Sequence, residues 1–171
     1  KSDIEIELMR AASKITEKGM KAAFENINAG TRQCDAVAEI QKSLINGTPE
    51  FGGDYSSIVP MLPTGTGTSA SHLTWTEEKF IKSEATIIEL SGVYKKYHCP
   101  MARTVLLGKP DQKKIDTMKA TNEALDAGIA EVKPGKTCDE IAKKFWKVLD
   151  KYGIKKRSRT GYSIGIGYPP D

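Results

Sequence analysis

The chain has 171 residues, 39% of them hydrophobic and 28% charged, with a formal net charge of +4. That is material for one or at most two soluble globular domains with a full core. No apolar run approaches the roughly 20 residues of a membrane span and no signal peptide opens the chain, so a cytoplasmic protein without membrane contact is expected. The three cysteines, Cys34, Cys99 and Cys138, form no CxxC pair and no even framework, which points to reduced thiols rather than disulfides or a zinc site. The one basic cluster, Lys155-Lys156-Arg157 with Arg159, has no interleaved aromatics and reads as a solvated turn rather than a nucleic-acid patch. Starting at Lys1 without methionine and stopping at Pro169-Pro170-Asp171, the chain reads as a piece of something longer.

In chain order, Ser2-Asp3-Ile4-Glu5 is a capping box that opens a helix ending near Asn28-Ala29-Gly30. A second helix is expected from about Gln33 to Ile45, with Val37, Ile40 and Leu44 on one face and Gly47 as its exit. Residues 51–55 read as a turn and 57–62 as a strand. The small-residue loop that follows, 63–71, delivers His72. Residues 85–107 then form two β-rich runs joined by a short polar segment. The first, Ala85-Thr86-Ile87-Ile88-Glu89-Leu90, is apolar and β-branched except for one carboxylate. Burying that carboxylate ionised costs several kcal/mol unless a cation or several donors meet it, so Glu89 is a paired structural acid, a protonated one or a working group. Pro110-Asp111 starts a third helix, broken at Pro134-Gly135. Thr137-Cys138-Asp139-Glu140 is a second capping box, opening a helix through Phe145, Trp146 and Leu149 to Gly153, and strand-like sequence follows at Tyr162–Tyr168.

The later helices repeat the earlier ones. Thr16–Ala22 through Ala29-Gly30 lies over Thr121–Ala127 through Pro134-Gly135, and Cys34-Asp35-Ala36-Val37-Ala38 lies over Cys138-Asp139-Glu140-Ile141-Ala142. The layout is a duplicated pair of helices plus sheet: a first unit over about 1–108 and the start of a second over about 109–171, truncated at the C-terminus.

That unit, a lone His after a small-residue loop, and a strand with an acid, a Gly, a Tyr and a closing Arg-Thr resemble the pita-bread family of methionine aminopeptidases, Xaa-Pro dipeptidases and creatinase. The resemblance covers essentially the whole chain and implies an α+β pita-bread fold. In the peptidases of that family the hairpin carries two Asp metal ligands. Here Ile88 to Thr104 keeps the spacing, but the first ligand position holds Glu89 and the second Pro100, which has no donor atom. The family's Gly-His-Gly-[Ile/Val]-Gly, with a third ligand, is matched by Gly161-Tyr162-Ser163-Ile164-Gly165. Tyrosine is a poor ligand for divalent ions because its phenol ionises only near pH 10. His98 and Cys99 are neighbours on a strand and point to opposite faces, so they cannot both reach one ion. No metal and no other cofactor is therefore expected.

His72 matches the family histidine that contacts substrate in the peptidases and serves as acid–base in the metal-free creatinase. Glu89, at a ligand position without a metal, becomes a substrate contact. The closing string Gly-Tyr-Ser-Ile-Gly-Ile-Gly-Tyr-Pro-Pro-Asp resembles the ectoine hydrolases, a creatinase-like branch that opens a cyclic amidine to N-acetyl-diaminobutyrate. Its Gly-Tyr-Ser-Ile-Gly followed by Tyr-Pro-Pro is shared with some uncharacterised Xaa-Pro-peptidase-like relatives. An amidinium delocalised over two nitrogens suits a buried carboxylate and would be repelled by a divalent metal. The reading is that Glu89 attacks the amidine carbon or orients water onto it, while His72 carries the proton to the leaving nitrogen and Tyr162 donates to the substrate. Arg103 has two tasks open: holding Glu89 ionised from the neighbouring strand, or binding the substrate carboxylate. A small-molecule substrate, no nucleic acid and a homodimer through the full-length chain are expected. An Xaa-Pro dipeptidase-like or creatinase-like hydrolase, and a non-catalytic binding module, remain as alternatives.

Overall fold

The computed structural model describes residues 1–156 and 158–168. The Ser2 hydroxyl accepts from the Glu5 amide, and the Glu5 carboxylate takes the Ser2 amide at 2.7 Å. This reciprocal cap opens α1 (Asp3–Asn26), and α2 (Gln33–Asn46) ends at Gly47 with φ +63°, a backbone conformation that favours glycine. Ile15, Met20 and Ala23 of α1 and Val37, Ile40 and Leu44 of α2 fall at helical spacing and bury together with Ile88 and Leu90.

Ile88 and Leu90 belong to β1 (Ala85–Tyr94), which pairs antiparallel with β2 (Tyr97–Leu106) from Ala85↔Leu106 to Tyr94↔Tyr97. Lys95 and Lys96 make the turn at φ +46° and +70°, as a two-residue hairpin matched to strand twist requires. Lys96 is steadied there by Asp54 Oδ1 at 2.8 Å, and that contact holds the Asp54 carboxyl below its ordinary range. The other edge of β1 is taken by residues 61–64. The Met61 amide donates to Glu89 O at 2.8 Å, the Glu89 amide to Met61 O at 3.0 Å, and the Ile87 amide to Pro63 O at 3.0 Å. The strand expected over 57–62 does not form: Met61 and Thr64 make isolated bridges to Glu89 and Thr86, and Pro60 and Pro63 lack the amide hydrogens that would extend a ladder.

The pleat gives β1 two faces. Ile88, Leu90 and Gly92 turn toward the helices, while Glu89, Ser91 and Val93 turn away and share their face, by register, with Ala102, Pro100 and His98. At Gly92 the sheet touches α1 directly. The Gly92 amide donates to Thr16 Oγ1 at 2.9 Å, and the same hydroxyl reaches Cys99 O at 2.5 Å. A Cβ on residue 92 would lie 2.4 Å from Thr16 N and 2.5 Å from Ala12 O, both backbone atoms. Gly92→Ala should therefore cost about 1–3 kcal/mol, read as a lower denaturation midpoint at unchanged slope. A variant as stable as the parent would mean that α1 can withdraw from β1.

The chain divides into two compact units, one of Lys1–Lys109 with the described residues from Ile164 onward, the other of Pro110–Ser163. In the second, Asp111 caps α3 (Gln112–Glu131), and Thr137 with Glu140 forms the box that opens α4 (Cys138–Lys151). The Thr137 amide, then Lys136, hold the Glu140 carboxyl at about 2. Ala120 and Ala124 of α3 bury against Phe145, Val148 and Leu149 of α4. The strand expected at Tyr162–Tyr168 does not form a ladder. Within the first unit its latter part is tied to β2 by the His98 amide donating to Gly165 O at 2.7 Å.

Candidate active site

Glu89 sits in β1, its backbone bonded on one side to Met61 through an isolated bridge and on the other within the hairpin. Its side chain stands on the face away from the helices and is half-buried. The Tyr168 hydroxyl donates to Glu89 Oε1 at 2.6 Å, and Tyr168 itself is only 3% exposed. Among the described residues no Lys, Arg or His forms an ion pair with this carboxylate. The result is a fixed carboxylate with one oxygen anchored by a phenol and, among the described residues, no cation paired with it.

His98, on the same face, is also buried. Its Nδ1 donates to Lys96 O at 3.0 Å, and its Nε2 accepts from the Ser57 amide at 3.2 Å. An amide can only donate and a carbonyl can only accept, so one neutral tautomer satisfies both bonds. The ring lies 5.8 Å from that of Tyr168 at an interplanar angle of 45°. Cys99 points the other way by register, and burial, with a further contribution from Glu17, pushes its thiol up.

Among the described residues, the side chains at the peptidase-type ligand positions differ from those of a metal centre. The three positions that the family resemblance assigns to ligands hold Glu89, Pro100 and Tyr162, and both ring nitrogens of His98 are already engaged. Among the described residues no three His, Cys, Asp or Glu side chains converge.

The expected site residues are only partly brought together. His72 lies in the turn after the short 3-10 helix Gly65–Ser69, exposed, with φ +63°. Residues 61–64 carry it from the edge of β1, yet no hydrogen bond or ion pair joins it to Glu89 among the described residues. Tyr162 belongs to the second unit, 44% exposed, with the Arg159 guanidinium 5.0 Å from its ring centroid. Arg103 requires a correction. It pairs with Ile88, which assigns it to the face opposite Glu89, and its Nη1 donates to Ala102 O at 2.7 Å. The counter-ion task expected of it is therefore not performed. Tyr168 holds Glu89 instead, and sequence reasoning missed it. The available signal is the second tyrosine of Gly-Tyr-Ser-Ile-Gly-Ile-Gly-Tyr, a phenol in a strand-like run that can serve an acid on another strand.

Comparison with known proteins agrees with this architecture. The sequence pattern of metallopeptidase family M24 matches residues 7–170. An ectoine hydrolase of Halomonas elongata is 44% identical over 177 residues, covering 100% of this chain and 44% of that protein. An uncharacterised hydrolase/peptidase of Sinorhizobium fredii is 39% identical over 170 residues, covering 99% of this chain and 43% of that protein. The chain thus spans under half the length of these relatives. The prolidase structure from Pyrococcus horikoshii superposes with a TM-score of 0.89 at 22% identity, covering 99% of this chain and 49% of that one, which shows the shared fold. With the family pattern running over nearly all its length, the chain belongs to metallopeptidase family M24 and has the pita-bread fold.

Proposed function

We propose that the protein is a hydrolase that opens the cyclic amidine of ectoine, or a close analogue, without a metal. The observation that carries this reading is Glu89: a half-buried carboxylate, oriented by Tyr168 and without a protein counter-ion among the described residues. Such a group is matched by a delocalised cation, and an amidinium spreads its charge over two N–H nitrogens. The 44% identity to an ectoine hydrolase across the whole chain supports the same choice. In the reaction an oxygen from water ends on the amidine carbon, one ring C–N bond breaks, and the leaving nitrogen takes a proton. The product is an N-acetylated diamino acid. Glu89 acts on the carbon as nucleophile or as the base that orients water, and His72 supplies the proton. Tyr162 donates to the substrate. A cytoplasmic homodimer acting on a small molecule, with no nucleic-acid or membrane partner, goes with this reading.

A second reading, a metal-dependent Xaa-Pro dipeptidase, is favoured by the prolidase-like fold. Incubating the full-length protein with ectoine, creatine and an Xaa-Pro dipeptide, with and without chelator, separates them. Ectoine should be consumed, and chelation should leave both turnover and melting temperature unchanged. Protein purified without a histidine tag that carries a stoichiometric transition metal, and that loses turnover when it is removed, would overturn the metal-free assignment.

A further inference from the structure

The proposed chemistry employs Glu89 and His72 and leaves two buried polar rings on the same sheet face without a task. These are Tyr168 and His98, each 3% exposed. We infer that they are positioning residues for Glu89: Tyr168 holds Oε1 so that Oε2 is the oxygen presented to the substrate, and His98 holds Tyr168. The inference rests on the reading of Glu89 as the working carboxylate.

The phenol-to-carboxylate distance of 2.6 Å lies in the range of a charge-assisted O–H···O bond. A glutamate side chain has three torsions, so a strand backbone alone does not fix where its oxygens lie. The bond to Tyr168 does. Among the described residues only Oε1 is engaged, so the two oxygens are inequivalent before any substrate arrives.

What fixes Tyr168 is less obvious, because its segment forms no ladder. Two ties among the described residues are at His98, whose amide donates to Gly165 O at 2.7 Å and whose ring packs on that of Tyr168 at 5.8 Å. The imidazole is itself immobilised. Nδ1 is bonded to Lys96 O at 3.0 Å, while Nε2 meets both the amide and the hydroxyl of Ser57 at 3.2 Å. With both ring nitrogens engaged, the imidazole has no free nitrogen to offer the reaction. It serves as a strut that joins residue 57, the hairpin and the segment ending at Tyr168. The register supports the geometry, since His98 pairs with Val93 and therefore shares the face of Glu89.

The test is a double-mutant cycle on the full-length protein with ectoine as substrate. Tyr168→Phe keeps the ring and removes only the hydroxyl. It should lower kcat about ten- to a hundredfold with KM changed less than about threefold. His98→Gln should lower kcat about tenfold, and the double variant should fall no further than Tyr168→Phe alone, because both changes act through one bond. Additive losses would overturn the role of His98, and a raised KM at unchanged kcat would make Tyr168 a substrate contact instead. A second readout needs no turnover: the carboxylate stretch in the infrared, assigned to Glu89 by its loss in Glu89→Gln. Tyr168→Phe should shift that band, and His98→Gln, or His98→Phe where the Gln variant does not fold, should shift it the same way. An unshifted band sinks the inference whatever the substrate is. Shifted bands in a protein that turns over no amidine would leave the positioning intact and remove the proposed function.

Discussion

Glu89→Gln is expected to lower turnover on the order of a thousandfold or more while the protein stays folded. The substitution keeps shape and hydrogen-bonding reach, so the Tyr168 hydroxyl can still donate to the side-chain oxygen at position 89. The backbone bonds to Met61 are untouched. What is lost is the negative charge and with it both the nucleophile and the attraction for a cationic substrate. Stability should hold or rise slightly, because a half-buried charge without a counter-ion among the described residues is removed. Turnover by purified variant and parent, compared beside their melting curves, decides the matter. A variant that keeps most of its activity would make Glu89 a structural acid and end the mechanism proposed above.

His72→Ala is expected to lower turnover about a hundred- to ten-thousandfold, the usual weight of a positioned acid–base group. Its setting argues for a role beyond packing. The side chain is exposed, bonded to none of the described residues, and sits at φ +63°, where a non-glycine residue is held at a cost of about 1 kcal/mol or more. A glycine would be more comfortable there. His72→Gly should accordingly be at least as stable as the parent while being as inactive as His72→Ala, a divergence that a stabilising role could not produce. The limb of the pH–rate profile that the parent owes to this group should vanish in both variants. Its persistence would assign the proton to another residue.

Much of the fold follows from local rules that a sequence displays. The capping boxes at Ser2 and Thr137, the glycine exit at Gly47 and the helical spacing of the apolar residues in α1, α2 and α4 are interactions within a few residues, and the structure has them where expected. The hairpin is local in the same sense, because a two-residue turn at Lys95-Lys96 sets the whole register. The odd carboxylate in an apolar strand was legible too, since one acid among β-branched residues needs no partner to be noticed.

What the chain by itself determined, then, is the set of helices, the hairpin, the family and the prominence of Glu89, all carried by short-range spacing. Tertiary structure alone decided which groups meet that acid. Arg103 stands fourteen residues from Glu89 and looks like its natural partner, but strand pairing sets it opposite Ile88 and sends it to the other face. Tyr168, 79 residues away, arrives at 2.6 Å through a segment that was expected to be a strand and is instead tied down at His98. Residues 57–62 likewise read as a strand by composition, and the actual pairing is confined to isolated bridges at Met61 and Thr64 because two prolines remove the amides a ladder would need. The physical reason is common to these cases. Whether a polar group far along the chain reaches a buried carboxylate depends on pairing parity and on which long-range hydrogen bonds are available, and neither is written in the spacing of the residues around it.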